Sequence, residues 1–323
     1  MNAALPSTAT PQVNEGRSPT RHWVIAYAAS ESEALPAAMN NAPDTLYLPN
    51  LQKLLSRMAC VSKSSTAPEG ASAFLMPHES APQILGAKPS LGKEAIMSPC
   101  HWQVGMNEVT LLKPQELALN EDESRKLLSA IQPYFEEDGL QVVYESPLVW
   151  RVTGDLLDGL PLASIDRVVG QNIKPWMPEH QRAKTLQRLQ SEMQMLLYQH
   201  PVNDERSLKG RWTVNSFWLH RRIDQLYPDA ADLDVALDLR ENMQASNAKL
   251  WQQAWEHLDA TLCRSLSQAL DQNHDVSLTL CSETSWRHYR PQPASWLSKL
   301  HRLIQPVSVI KELRALTSGV SAP

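Results

Sequence analysis

From His22 to Ile304, short apolar runs of strand type alternate with stretches whose apolar residues recur every three and four positions. The first pattern suits a pleated surface and the second suits one face of a helix, so the chain is restricted to sheet packed with helices, an α/β class. Residues 22–28 read as a buried first strand, a short and partly β-branched run. Pro49 fits the first turn of a helix, where its missing N–H costs nothing. Leu51, Leu54, Leu55 and Met58 then form one stripe. Residues 101–105 and 109–112 read as two short strands joined by Met106, Asn107 and Glu108. Asn120 is a good N-cap for a helix bearing Leu127, Leu128, Ile131 and Phe135, with Gly139 to end it and Pro133 to kink or break it.

Further along, residues 140–144 and 148–152 predict a hairpin around Glu145, Ser146 and Pro147. A long helix is expected over 179–200, stopped by Pro201. A strand follows over 211–219, a second long helix over 247–270, a late strand over 277–281, and a final amphipathic helix marked by Trp296, Leu297, Leu300, Leu303 and Ile304. The expected organisation is a disordered tail over 1–20, one elaborated domain over 21–305 with a long loop region at 61–99, and a C-terminal tail over 306–323. With 323 residues and 42% hydrophobic content, the chain can bury a substantial core.

Several function classes are disfavoured. A net charge of -5 does not suit coating a polyphosphate, so no nucleic-acid partner is expected, and the Arg221-Arg222 pair reads as solvated surface. The four cysteines form no Cys-x-x-Cys pair, which points to a reducing compartment with the thiols packed as small apolar groups. No apolar run approaches the ~20 residues that span a bilayer, and residues 1–20 lack a signal-type apolar stretch. A cytoplasmic location without membrane contact is the expectation. There is no Walker loop, no Gly-x-Gly-x-x-Gly, no His-Glu-x-x-His and no Gly-x-Ser-x-Gly. No catalytic residue and no metal ligand is assigned.

The stretch from Asp166 to Trp218 is dense in polar side chains. Its candidate ligand-binding residues are Asp166, Arg167, Asn172, Arg188, Glu192, His200, Asn203, Asn215 and Ser216. A guanidinium fork matches a carboxylate or phosphate, so Arg167 or Arg188 could grip an anion. The same residues have a structural reading, in which Asp166 caps a turn, Arg188 pairs with Glu192 one helical turn on, and His200 satisfies a chain reversal at Pro201. Trp251 and Trp255 lie one turn apart and are expected to pack in a helix core.

Five phrases stand out together. They are Leu48-Pro49-Asn50-Leu51, His101-Trp102-Gln103-Val104-Gly105, the run from Ser164 to Asn172, the run from Leu189 to Tyr198 with His200-Pro201-Val202-Asn203, and Val214-Asn215-Ser216-Phe217-Trp218. Over about residues 22–305 they resemble a proteobacterial family labelled by homology as cofactor-independent phosphoglycerate mutases. The resemblance implies the alkaline-phosphatase superfamily: a three-layer fold with a central sheet and flanking helices, two divalent metals such as manganese, and a Ser or Thr nucleophile. Pro49-Asn50-Leu51, opening a helix soon after the first strand, agrees with it. Two features depart from it. The superfamily places a metal-binding Asp at the end of the first strand, where this chain has Tyr27-Ala28-Ala29-Ser30. It also uses a late Asp-His pair, for which the nearest match is Asn273-His274-Asp275.

The resulting expectation is a degenerate phosphomutase-like scaffold with no cofactor, acting by binding a phosphorylated small molecule or a protein partner. The competing expectation is a phosphoglycerate mutase, or a related phosphotransferase or phosphatase, with relocated ligands and a divalent metal. A third is an interaction module built on exposed Trp-rich helices.

Overall fold

The computed structural model describes residues 21–30, 46–64, 75–178, 181, 183–230, 232–245, 247–292 and 307–317. In chain order the strands and longer helices are β1 (Arg21–Ile25), α1 (Pro49–Leu55), β2 (Met58–Lys63), β3 (Glu94–Cys100), β4 (Trp102–Val104), β5 (Val109–Leu111) and α2 (Glu121–Glu137). There follow β6 (Gln141–Ser146), β7 (Val149–Thr153), α3 (Ala183–Tyr198), α4 (Pro201–Leu208), β8 (Ser216–His220) and β9 (Leu233–Ala236). The chain continues with α5 (Ala248–Leu258), α6 (Arg264–Asp271), β10 (Val276–Cys281), β11 (Trp286–Pro291) and α7 (Val309–Thr317). The class is mixed α/β, with multi-strand sheet and flanking helices. Internal contacts gather the chain into two compact units: one holds Met1–Lys63, Asp232–Leu280 and Arg287–Pro323, the other Ser64–Ala231 and Cys281–Trp286.

The first unit contains a five-stranded sheet in the order β2-β11-β10-β1-β9. β1 runs parallel to both β10 and β9, and β11 runs antiparallel to β2. Every residue of β10 is buried, the pattern of a strand covered on both faces. α5 and α6 are joined by a π-helical turn, Asp259–Cys263. Trp251 and Trp255 are buried and meet edge to face with centroids 6.3 Å apart, so they form core and not an exposed Trp-rich surface.

The second unit contains an antiparallel sheet, β6-β7-β3-β8, and the small hairpin β4-β5. β7 alternates between buried and more accessible positions, as expected of a sheet with one covered face. That face carries Met97, Trp150, Val152 and Phe217, packed against Leu127, Ile131 and Phe135 of α2 and Leu186, Leu189, Met193 and Leu197 of α3. Each such side chain contributes roughly 1.5–3 kcal/mol on full burial. Asn120 caps α2 by accepting from Glu123 N at 2.9 Å, completing a capping box. Pro133 neither ends nor breaks α2; it lies on the exposed face, where water can take the carbonyl that its missing N–H leaves free.

The structure corrects several expectations. The 61–99 region is not a continuous loop: β2 occupies its start and β3 its end. Pro99 is compatible with β3 because β7 pairs only as far as Met97, so no ladder bond to that neighbour is lost. Pro201 does not simply stop the long helix; it opens α4, with His200 as N-cap. The 211–219 strand begins only at Ser216. The C-terminal 306–323 segment holds α7, whose Val309, Leu313 and Leu316 are buried at spacings of four and three. The tail at 1–20 and the helix expected at 296–304 lie outside the described residues. Arg221 is buried, not solvated. Its guanidinium donates to the carbonyls of Glu94, Leu160, Gly92 and Leu157, and burial lowers its pKa to about 10.

Candidate functional site

In the second unit, the segment around the helical turn Ile165–Val168 borders a slot. Leu162, Ala163, Trp176, Met177, Leu186 and Trp218 supply its apolar walls. Both indole walls are held in place. Trp218 Nε1 donates to Ala163 O at 2.9 Å. Trp176 lies under the Arg167 guanidinium, 5.4 Å from Cζ to ring centroid. Arg167 in turn donates from Nε, at 3.1 Å, and from Nη2 to Leu75 O.

Two amides of α3, Gln187 and Gln190, border the slot. Gln190 is 7% exposed. Its Nε2 donates to Phe217 O over 3.4 Å, opposite Pro99, which has no N–H of its own to give. Its Oε1 is buried and accepts no hydrogen bond among the described residues. A buried amide oxygen left unpaired costs about 1–3 kcal/mol. No charged side chain is among the described residues lining the slot.

On the other side of Arg167 lies a buried carboxyl group. Glu79 is 7% exposed and accepts from Met76 N at 2.8 Å. Burial, with Asp166 nearby, pushes its pKa up to about 7 against the opposing pull of the Met76 amide, Ser164 and Arg167. Tyr227 lies within electrostatic reach and receives a hydrogen bond from Gln83 Nε2 at 3.3 Å.

The structure thus brings Asp166 and Arg167 together with Leu75 and Glu79, and sets the other candidates elsewhere. Asn172 accepts from Lys174 N within its own turn. Arg188 is exposed and grips Asp138 with Nη2, at 2.6 Å to each oxygen, and Glu192 with Nη1. His200 caps α4 by accepting from Val202 N, and desolvation lowers its pKa. Asn203 is buried and bonds Leu197 O and both the N–H and C=O of Val214. Asn215 pairs with the backbone of Trp102 as another strand residue would. Ser216 is buried in β8, its Oγ without a partner among the described residues. Gln190 and Glu79 were absent from the sequence-derived candidates. For Gln190 a signal existed: it stands four residues after Leu186 and three before Met193, on the buried stripe where an amide needs a reason.

No family model matches the chain, and no curated protein matches it in sequence. Two solved structures are similar to it. One is the cofactor-independent phosphoglycerate mutase from Thermoplasma acidophilum DSM 1728, at 12% identity and TM-score 0.36, covering 93% of this chain and 100% of that one. The other is the PH0037 protein from Pyrococcus horikoshii, at 10% identity and TM-score 0.44, covering 86% of this chain and 89% of that one. Similarity at this level sets no residue of this chain against a residue of either protein.

The residues themselves test the two-metal chemistry that the sequence resemblance implies. Ligands in parallel sheets bind beyond the carboxyl ends of the strands. After β1 that end reads Tyr27-Ala28-Ala29-Ser30, all buried and without a carboxylate. Tyr27 adopts φ 58°, and the carbonyls of Tyr27 and Ala28 accept from the indole N–H groups of Trp251 and Trp255. The N-terminus of α1 is also taken. The buried Asp259 carboxylate accepts from Leu51 N at 2.7 Å, Asn50 N at 3.2 Å and Asn50 Nδ2 at 2.9 Å. His274 and Asp275 precede β10, where Asp275 O accepts from Arg21 N at the start of β1. They therefore lie at the opposite end of the sheet, about 17 Å away along five residues of strand. These positions do not fit a two-metal centre, which needs carboxylates and imidazoles converging on ions about 4 Å apart.

Proposed function

We propose that this protein acts by binding a small ligand, on a phosphomutase-like scaffold that does not carry out metal-dependent phosphoryl transfer, and that the ligand enters the slot beside Gln190. The observation that carries the first half is the carboxyl end of β1, where two indoles occupy the backbone carbonyls and residues 26–30 hold no acid. The second half is supported by the apolar lining of the slot, with Trp218 fixed by its bond to Ala163 O. A pocket lined by aromatic and aliphatic groups with one placed polar atom is the usual form of a small-molecule site.

The test is a phosphorus NMR time course of the full chain with 3-phosphoglycerate and manganese. The expected spectrum is unchanged. Formation of 2-phosphoglycerate or free phosphate, abolished by a chelator, overturns the non-catalytic reading and restores the metal-dependent alternative.

A further inference from the structure

We infer that β6, the edge strand of the antiparallel sheet in the second unit, pairs antiparallel with β6 of a second copy of this chain about a two-fold axis at Val143, joining the two sheets into one.

β6 ends the order β6-β7-β3-β8, so its outer edge carries no strand among the described residues. Hydrogen-bond parity fixes which groups that edge offers. Gly154 N donates to Lys93 O just past the paired ends of β7 and β3. In an antiparallel pair the bonded rungs alternate, so Val152 and Trp150 turn their backbone groups to β3, and Thr153 and Arg151 turn theirs to β6. Gln141 and Val143 stand opposite those two, which leaves the N–H and C=O of Val142 and Tyr144 pointing outward. Neither backbone has a partner on that side among the described residues. Such an edge is a template for another strand unless something blunts it. Residues 141–146 contain no Lys and no Pro, and the irregularity in pairing falls after Tyr144.

The side chains around Val143 identify the added strand as the same one. A two-fold axis there sets Val142 opposite Tyr144 of the second copy, so both outward pairs bond, about four hydrogen bonds in all. Val143 is 51% exposed and meets its own copy at the axis. Opposite charges of α2 lie at the two ends of the edge. Arg125 stacks 3.8 Å over the Tyr144 ring, and Glu136 borders the groove along Gly139–Val143. The axis exchanges these ends and carries Arg125 towards Glu136 of the second copy. Within its own chain Arg125 gives only Nε, to Glu121, so its Nη groups remain for that contact. On the exposed face the same axis sets the Gln141 amide opposite the Glu145 carboxylate.

The test is sedimentation velocity of the full chain at concentrations up to about 100 μM. A reversible dimer is expected. A monomer throughout would leave the edge to a strand of some other protein and overturn the inference. Val143→Lys changes an exposed side chain and sets two ammonium groups against each other at the axis, so this variant is expected to stay monomeric over the same range. A dimer that Val143→Lys leaves intact would place the interface elsewhere and also overturn the inference. Arg125→Glu and Glu136→Arg are each expected to weaken the dimer about tenfold, because like charges then meet at both symmetric contacts, and the double variant is expected to restore it. Mutual rescue of this kind requires two copies in this register; a double variant as weak as either single one refutes it. The charge exchange does not depend on Val143→Lys, so a Val143→Lys protein that failed to fold would not remove the test.

Discussion

Glu79 is a carboxyl group with almost no access to water, held beside Asp166 and against the Met76 amide. Its pKa is raised from 4.5 to about 7. Between those values the folded state keeps a proton that the unfolded state releases. The stability it supports is complete below pH 4.5 and is lost as pH rises through about 7, to the extent of about 3 kcal/mol. Glu79→Gln stays neutral at every pH and keeps an oxygen for the Met76 N–H. Its denaturation midpoint is therefore expected to match the parent near pH 5 and to exceed it near pH 8; a parallel fall in both proteins would show that Glu79 ionises freely in the fold. Asp166 and Arg167 stood out in the sequence because charged residues cluster there. Glu79 was not among the site candidates, because Asp166 and Arg167 lie nearly ninety positions on and only folding removes it from water.

At the scale of single elements, α1 is a seven-residue helix whose first turn depends on a distant residue. Pro49 marks its start in the sequence, but the cap that pairs the Asn50 and Leu51 amides comes from Asp259, in the π-helical turn between α5 and α6. Asp259→Ala is expected to cost about 1–2 kcal/mol, the usual worth of an N-cap. Hydrogen exchange should quicken at the amides of α1 while α2 stays protected; unchanged exchange in α1 would mean that water replaces the carboxylate at no cost. Elements built on near-neighbour signals were legible: the Asn120 capping box, the β6-β7 hairpin and the 3.6-residue stripes of α2 and α3. The strands β3, β9 and β11 were not. The end of the 61–99 region, with Pro99, read as loop, and only a neighbouring strand makes it sheet; residues 286–291 carried no strand signal and pair with β2 in the fold.

Across the whole molecule the two units should respond to pH in opposite directions. In the first unit His22 and His288 are buried with ring centroids 5.0 Å apart, joined through Thr279 Oγ1. Desolvation first, then His288 and Arg290, lowers His22 to about 3. Desolvation and Arg290 lower His288 to about 4. Both rings stay neutral in the fold while the unfolded chain takes up protons below 6.5. Their contribution is thus complete above pH 6.5 and is lost as pH falls, by roughly 2–3 kcal/mol per ring at pH 4.5. Glu79 acts in the reverse sense. Corrected for intrinsic rates, hydrogen exchange in β1 and β10 should speed up from pH 7 to pH 5, while exchange around residues 76–80 and 165–168 should slow. A common direction in both units would refute the assignment of these groups.

By itself the sequence determined the α/β class, most helices and the two hairpins. These rest on interactions within a few residues, where spacing and side-chain type are enough. Only the tertiary structure decided which strands share a sheet, that Arg221 is sealed among four carbonyls, that Asp259 closes α1, and that Gln190 is buried with its oxygen unpaired. Each of those outcomes depends on which distant groups exclude water together, and desolvation is a property of the packed surface that no local stretch of sequence carries.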